Sequence, residues 1–104
     1  MTAPAAALKA IKTAVRAGAW RPDPHLFRQM ARRGLVLTDV VAAIESARRI
    51  EAHDMLPLNQ GGESWRVYGM DTEARELGVG VELVVDDEGD FVVIITAFVK
   101  EKKR

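Results

Sequence analysis

The stretch Phe91-Val-Val-Ile-Ile-Thr-Ala-Phe-Val99 decides the fold of this 104-residue chain. It is almost wholly apolar, rich in β-branched residues, and contains neither Gly nor Pro. Such a run is typical of a strand covered on both faces, and it is far shorter than the roughly 20 apolar residues that span a bilayer. Thr96 is the exception, because it places a hydroxyl in the middle of a hydrophobic strand.

The residues before this stretch predict two more strands of an antiparallel sheet. An apolar run at residues 77–86 leads into the turn signal Glu88-Gly89-Asp90, which predicts a hairpin. Residues 64–69 alternate strictly, so that Arg66 and Tyr68 point to one face and apolar residues to the other. We therefore predict strands at residues 64–69, 77–86 and 91–99.

The first half of the chain has the spacing of amphipathic helices. Gly18 is placed to end the first helix, and Asp23 is placed to cap the second, which Gly34 would end. Thr38 is expected to be the N-cap of the third helix. We predict helices at residues 5–17, 24–33 and 39–51, a stiff proline-containing connection at 19–24, and an irregular loop at 53–63 with a short strand near 55–58.

Helices followed by a β-meander indicate an α+β protein. The expected architecture is a single domain, residues 1–104, in which N-terminal helices pack on a small twisted antiparallel β-sheet.

The composition excludes several kinds of site. The chain has no cysteine, so it can form no disulfide, thiolate metal site or cysteine nucleophile, and this fits the cytoplasm. Two histidines without metal-ligand spacing do not predict a zinc site, and no glycine-rich phosphate loop is present. The N-terminus does not resemble a signal peptide. We therefore expect no metal, no cofactor and no membrane partner.

Charge is distributed unevenly although the total is zero. Residues 1–53 carry nine basic and four acidic side chains, a balance of +5, which leaves −5 for the remainder. A basic half is suited to phosphate or to an acidic partner. The alternatives are that the two halves neutralise each other, or that these charges only solvate helix faces.

A histidine, several arginines and a hydroxyl form a set that could cleave RNA without metal. Histidine transfers protons near neutral pH, and arginine stabilises charge that develops on phosphate, while the 2′-hydroxyl of RNA is the nucleophile. We predict His25, Arg33, Arg66 and Thr96 as catalytic residues, and Arg28, Arg32 and Tyr68 as substrate-binding residues.

Each of these residues also has a structural interpretation. His25 could help to cap its helix, Arg33 could bond carbonyls at its helix end, and Arg66 could pair with acidic loops. Tyr68 could be half-buried core, and Thr96 could be a β-former bonded to its neighbours.

Three stretches of the sequence together resemble the family called domain of unknown function 4258. They are Pro24-His-Leu-Phe-Arg-Gln-Met-Ala-Arg-Arg-Gly-Leu35, followed by Thr38-Asp-Val-Val-Ala-Ala-Ile44, and the strand Ile94-Ile-Thr-Ala-Phe98. The resemblance covers roughly residues 20–99. It implies a fold related to RelE-like toxins, several of which cleave RNA without metal, and it implies RNA and an antitoxin or another acidic protein as partners.

The sequence departs from the family signature at two positions. Gln29 stands where the signature has arginine, and Phe98 stands where it has tyrosine. Two hypotheses follow. The chain is a toxin-like, metal-independent endoribonuclease, or it is a degenerate, non-catalytic member whose basic helices bind an acidic protein or a second copy in a homodimer.

Overall fold

A computed structural model describes residues 2–53 and 61–100 of the chain, and within them it contains three helices and five strands. The helices precede most of the sheet, which confirms the predicted α+β class. The helices are α1 (Pro4–Arg16), α2 (Pro24–Arg33) and α3 (Leu37–Ser46); the strands are β1 (Trp20–Pro22), β2 (Arg49–Ala52), β3 (Glu63–Met70), β4 (Glu76–Asp86) and β5 (Gly89–Val99).

The sheet has the order β1-β5-β4-β3-β2 and is mixed. Strands β2 to β5 pair antiparallel, whereas β1 pairs parallel with β5, so the prediction of a purely antiparallel sheet is wrong at this edge. One face of the sheet packs against the helices to form the core. Its fully buried members include Ile11, Leu26, Val40, Ile44, Trp65, Val67, Val79, Val81, Leu83 and Ile94.

Strand β1 lies in the segment that the sequence predicted as a connection. Pro22 is tolerated in β1 because β1 is an edge strand, where the missing N–H of a proline does not remove a hydrogen bond of the sheet. The parallel pairing is continued by a bond from the Asp23 N–H to the Ile94 carbonyl, at 2.8 Å. The short β1 strand therefore leads directly from the sheet into α2.

The third helix was predicted to run over residues 39–51, but α3 ends at Ser46. Ala47 is extended (φ −61°, ψ 136°), and β2 then pairs with β3. The apolar Ile50 fits helical spacing as well as strand alternation, and pairing with a distant strand decides between them. The prediction of Thr38 as N-cap is also wrong, since α3 begins at Leu37 and the Asp39 carboxylate accepts the Val36 N–H at 3.2 Å.

The other predicted elements agree with the structure to within one or two residues. Asp23 caps α2 by accepting the His25 N–H at 2.8 Å, and Gly34 ends it with φ 66°. The hairpin turn lies at Asp87 and Glu88, one residue before the predicted position, and Gly89 follows with φ 124°. The short strand expected near residues 55–58 lies outside the described residues.

A β-bulge interrupts the pairing of β4 with β5. Val81 pairs with Ile94, but Gly80 pairs with Thr96, so Ile95 is an extra residue on β5. Before the bulge, Ile94 points into the core, and after it, Ala97 does. Thr96 therefore points to the opposite face from Ile94, although it is two residues further along the strand.

The loop between β3 and β4 is anchored to the helix layer by a polar network. Asp71 accepts the backbone N–H groups of Glu73 and Arg75, and the Arg75 Nε donates to it at 2.7 Å. The Thr72 hydroxyl donates to Asp39 of α3 at 2.7 Å. Burial by itself would raise the pKa of Asp71, but these hydrogen bonds and the Arg75 charge outweigh it and lower that pKa below 3.8.

Within the described residues, no helix has both the length and the apolar character needed to cross a membrane.

Candidate functional site on the polar face of the sheet

The face of the sheet turned away from the core carries most of the polar side chains of the strands, and we call it the polar face. Alternate residues of β2 to β5 lie there in cross-strand rows. The first row is Arg49, Tyr68, Gly78 and Phe98; the second is Glu51, Arg66, Gly80 and Thr96; the third is His53, Ser64, Glu82 and Val93.

Arg66 occupies the centre of the polar face. Its Nη2 lies 2.9 Å from His53 Nε2, and its Nη1 lies 3.8 Å from Glu51 Oε1. Its guanidinium also stands over the Phe98 ring, 5.2 Å from the centroid. The Arg66 Nε is buried and has no hydrogen-bond partner among the described residues. The side chain is 26% exposed, so the guanidinium is held in place and remains open to solvent on one side.

The contact between Arg66 and His53 fits one protonation state of the imidazole. A guanidinium can only donate hydrogen bonds, so the Nε2 of His53 must accept. This contact therefore requires the neutral tautomer of His53, with its proton on Nδ1. A neutral imidazole with a lone pair on Nε2 is able to take up a proton.

Tyr68 is held by groups of both charges. Its hydroxyl donates to Glu51 Oε1 at 2.6 Å. The Arg49 guanidinium stands 4.0 Å from the centre of its ring and the Lys100 Nζ stands 5.3 Å away. The Phe98 ring meets it edge-on, with centroids 6.5 Å apart. Glu51 therefore orients both Tyr68 and Arg66.

Two glycines of β4 remove side chains from the middle of the face. The Phe98 ring lies where a Cβ on Gly78 would be, so that row is filled by an aromatic side chain. In the next row, Gly80 separates Arg66 from Thr96. At about 4.8 Å per strand, the Cα atoms of Arg66 and Thr96 are roughly 10 Å apart.

The third row is more deeply buried and remains polar. Glu82 is fully buried, and its Oε2 accepts the Gly62 N–H at 2.7 Å. Ser64, directly opposite Glu82 on β3, has a buried hydroxyl without a hydrogen-bond partner among the described residues. Buried polar atoms are usually paired, so an unpaired donor such as this one or the Arg66 Nε calls for a partner such as a water molecule, an ion or a ligand.

The predicted residues on α2 lie to one side of this cluster. Helix α2 runs beside β5 from Ile94 to Ala97, whose carbonyl accepts Arg33 Nη1 at 2.6 Å. The side chain of His25, in the first turn of α2, forms a hydrogen bond with the Gln29 amide at 3.3 Å. Arg28 and Arg32 are exposed.

The structure thus brings together three of the predicted residues, Arg66, Tyr68 and Thr96, on one face. It places Arg33 beside the residue that follows Thr96, and it does not bring His25 into contact with Arg66. Sequence reasoning missed His53 and Glu51, which join Arg66 and Tyr68. The alternation of residues 49–53, polar at odd positions and apolar at even ones, is the signal that could have revealed them.

The described residues contain no group of three or more His, Asp or Glu side chains placed to hold a metal ion. The polar face itself carries cations, carboxylates, an imidazole and hydroxyls.

Comparison with known families extends this description. The family described as Domain of unknown function (DUF4258) matches residues 23–99, more than half of the chain. The chain belongs to this family. No functionally curated protein matches it.

Gln29 and Phe98, where the sequence-based resemblance predicts arginine and tyrosine, both have structural contacts. Gln29, in place of arginine, bonds to His25 across one turn of α2. Phe98, in place of tyrosine, covers Gly78 and packs against Tyr68, which itself carries a hydroxyl. Both replacements are therefore accommodated by neighbours within the fold.

Proposed function

We propose that this protein is a metal-independent endoribonuclease with a fold related to RelE-like toxins, and that RNA phosphate binds at Arg66. One observation carries the proposal. The Arg66 guanidinium is fixed on the polar face against an imidazole, and its Nε donor has no acceptor.

Phosphate is the ligand that this guanidinium fits best. Its planar N–H groups match two oxygens of a phosphodiester. The existing ion pair with Glu51 is long, at 3.8 Å, and both side chains are partly exposed. Such a pair is weak, so a phosphate can compete with the carboxylate.

His53 is the proposed general base. When Arg66 turns to the phosphate, the Nε2 lone pair of His53 is released. The 2′-oxygen of the ribose then attacks phosphorus and passes its proton to Nε2, while the bond from phosphorus to the 5′-oxygen breaks. The 5′-oxygen leaves with a proton from water, and the products are a 2′,3′-cyclic phosphate and a 5′-hydroxyl end. Arg66 stabilises the charge that develops on the phosphate oxygens.

The remaining predicted residues would bind RNA on either side of this centre. Tyr68 offers a hydroxyl and a ring on which a base can stack, and it lies in the same row as Phe98, where the family has tyrosine. Thr96 faces Arg66 across Gly80. The arginines of α2, including Arg33, would contact phosphates further along the strand.

The two histidines provide a matched test of this assignment. Purified protein is incubated with a fluorescent RNA oligonucleotide in excess EDTA, and with the same oligonucleotide carrying 2′-deoxyribose. We expect cleavage of the RNA only. His53→Gln is expected to reduce the rate about 10²–10⁴-fold, and Arg66→Gln about 10²–10³-fold.

His25→Gln is the control, because the same substitution is made on α2, away from Arg66. If His25→Gln abolishes cleavage and His53→Gln does not, the site lies along α2 and the proposed role of His53 is wrong. If the wild-type protein does not cleave any RNA, the enzymatic proposal itself fails.

The second candidate is a non-catalytic module that binds an antitoxin or another acidic protein. It is favoured by the pairing of Arg66 and Tyr68 with Glu51, which already satisfies part of the polar face. In that case we expect a stable protein complex and no binding of RNA at moderate salt. Cytoplasmic location stays a prediction under both hypotheses.

A further inference from the structure

Two exposed patches each surround one apolar residue with charged side chains, and the charges of the two patches have opposite sign. The first, the α2 patch, consists of Phe27, Arg28 and Arg32. Phe27 is 51% exposed, and neither arginine has an ion-pair partner among the described residues. Helix α2 contains no acidic residue. At 100° per residue, the three side chains lie within one arc of its outer surface.

The second patch is the tip of the β4–β5 hairpin, and we call it the hairpin tip: Val85, Asp87, Glu88 and Asp90. Val85 is 62% exposed and lies directly opposite Asp90 across the hairpin. The three acidic side chains are exposed, and residues 85–90 contain no basic residue. Like the α2 patch, the hairpin tip has an exposed apolar residue among charged side chains, but its charges are negative.

The chain cannot close this contact on itself. Strand β5 begins at Gly89, whereas the N–H of Asp23, just before α2, bonds to Ile94, and Arg33 at the end of α2 bonds to Ala97. Five residues of extended strand separate the two, which is roughly 17 Å at 3.4 Å per residue. A hairpin stiffened by pairing with its neighbours cannot bend back over this distance.

We infer that a second copy of the chain binds here, with its hairpin tip against the α2 patch. Each contact would bring Val85 near Phe27, surrounded by arginine and carboxylate pairs. Exposed aromatic and arginine side chains are enriched in protein interfaces, and complementary charge favours encounter. The contact area is small, so the association is expected to be weak and sensitive to salt. This inference does not depend on the proposed ribonuclease activity.

The test measures mass in solution by sedimentation equilibrium at about 50 mM and 500 mM salt. For the wild-type protein, the average mass is expected to rise above the 11.5 kDa monomer with concentration at low salt, and much less at high salt. Arg28→Glu combined with Arg32→Glu, and separately Asp87→Lys combined with Asp90→Lys, should each weaken self-association about tenfold or more.

Mixing the two charge-reversed proteins is the decisive step. In the mixture, an acidic α2 patch meets a basic hairpin tip, and the unchanged patches also complement each other, so association should return. Lys9→Glu combined with Arg16→Glu changes the charge equally on α1 and is expected to leave association unchanged. Circular dichroism melting checks that the hairpin variants fold, and Phe27→Ser provides a variant without changes at the turn.

Several outcomes would overturn the inference. These are a wild-type protein that stays monomeric at low salt up to millimolar concentration, equal weakening by the α1 control, or no recovery in the mixture. If the wild-type protein is monomeric and the variant with Arg28→Glu and Arg32→Glu loses only its affinity for RNA, the α2 patch is a nucleic-acid surface instead.

Discussion

The two faces of the sheet are built from the same strands and have opposite characters. On the core face, Trp65 and Val67 pack with Val79 and Val81 and exclude water almost completely. On the polar face, Arg66 lies between two of these residues in the sequence and remains partly exposed beside His53. Successive residues of β3 therefore alternate between the hydrophobic core and the candidate site.

Stability and function can therefore be separated in this sheet with single substitutions. Side chains on the core face contribute through buried apolar area and close packing, so truncating them leaves cavities. Side chains on the polar face contribute through charge and hydrogen bonds in partial contact with water, where each contact adds little to stability.

The largest effect is expected for Trp65→Ala. Trp65 is fully buried, and its indole N–H donates to Glu63 Oε1 at 3.1 Å. Removing a buried aromatic side chain typically lowers the free energy of unfolding by about 3–5 kcal/mol. Urea denaturation followed by circular dichroism measures this change. The adjacent Arg66→Gln should change stability by less than about 1 kcal/mol; a larger loss there would contradict the separation of the two faces.

The next effect compares one glycine from each face. A Cβ on Gly69 would overlap the backbone carbonyl of Ala43 in α3, which cannot move without shifting the helix. A Cβ on Gly78 would overlap only the ring of Phe98. Overpacking costs about 1–3 kcal/mol, so we expect Gly69→Ala near the upper end and Gly78→Ala near the lower end, measured by the same denaturation.

A second substitution checks the cause of the smaller effect. If the cost of Gly78→Ala comes from the Phe98 ring, it should largely disappear in a Phe98→Leu background. If Gly69→Ala and Gly78→Ala lower the free energy of unfolding equally, the backbone of α3 moves aside as easily as the Phe98 side chain.

The third effect concerns the loop that holds α3 to the sheet, and it depends on pH. The pKa of Asp71 is lower in the folded protein than its ordinary value of 3.8. The unfolded state therefore binds the proton more readily, so Asp71 stabilises the fold above pH 3.8, and this stabilisation is lost as the pH falls through the lowered folded value.

Thermal melting at pH 7 and at about pH 2.5 tests this expectation. Asp71→Asn should lower the melting temperature at pH 7 and reduce the further fall at acid pH. Asp87→Asn, an exposed substitution in the hairpin, serves as the control. An unchanged acid dependence in Asp71→Asn would show that other carboxylates dominate it.

The smallest effect is expected at the start of α2. Asp23→Ala removes the acceptor of the His25 N–H and should lower the free energy of unfolding by about 1 kcal/mol. Asp23→Asn retains a cap and should be nearly neutral. If Asp23→Ala lowers the free energy of unfolding as much as Trp65→Ala does, the edge of the sheet depends more on α2 than on the hydrophobic core.

The fold was predictable from sequence wherever local pattern and tertiary position agree. Caps at Asp23 and Gly34 mark α2, and alternation and apolar runs mark β3 to β5. Strands β1 and β2 were missed because three or four residues contain too little periodicity. These two strands form because β1 pairs with β5 and β2 pairs with β3, and both partners are distant in sequence.

The candidate site was predictable to a similar degree. Alternation placed Arg66 and Tyr68 on one face without knowledge of the fold. The involvement of His53 and Glu51 depends on the register of β2 against β3, in which Glu51 pairs with Arg66. Because that segment was interpreted as the end of a helix, the sequence offered His25 as the histidine nearest to an arginine-rich element.

The bulge at Ile95 has an evolutionary consequence. Deleting this one codon would restore a regular ladder in which Ile94 and Ala97 still face the core and Thr96 still faces the polar side. The extra residue can therefore be gained or lost during evolution without exchanging the two faces of β5. What must be inherited at this point is the pairing of Ile94 and Thr96 with β4, and not the exact length of the strand.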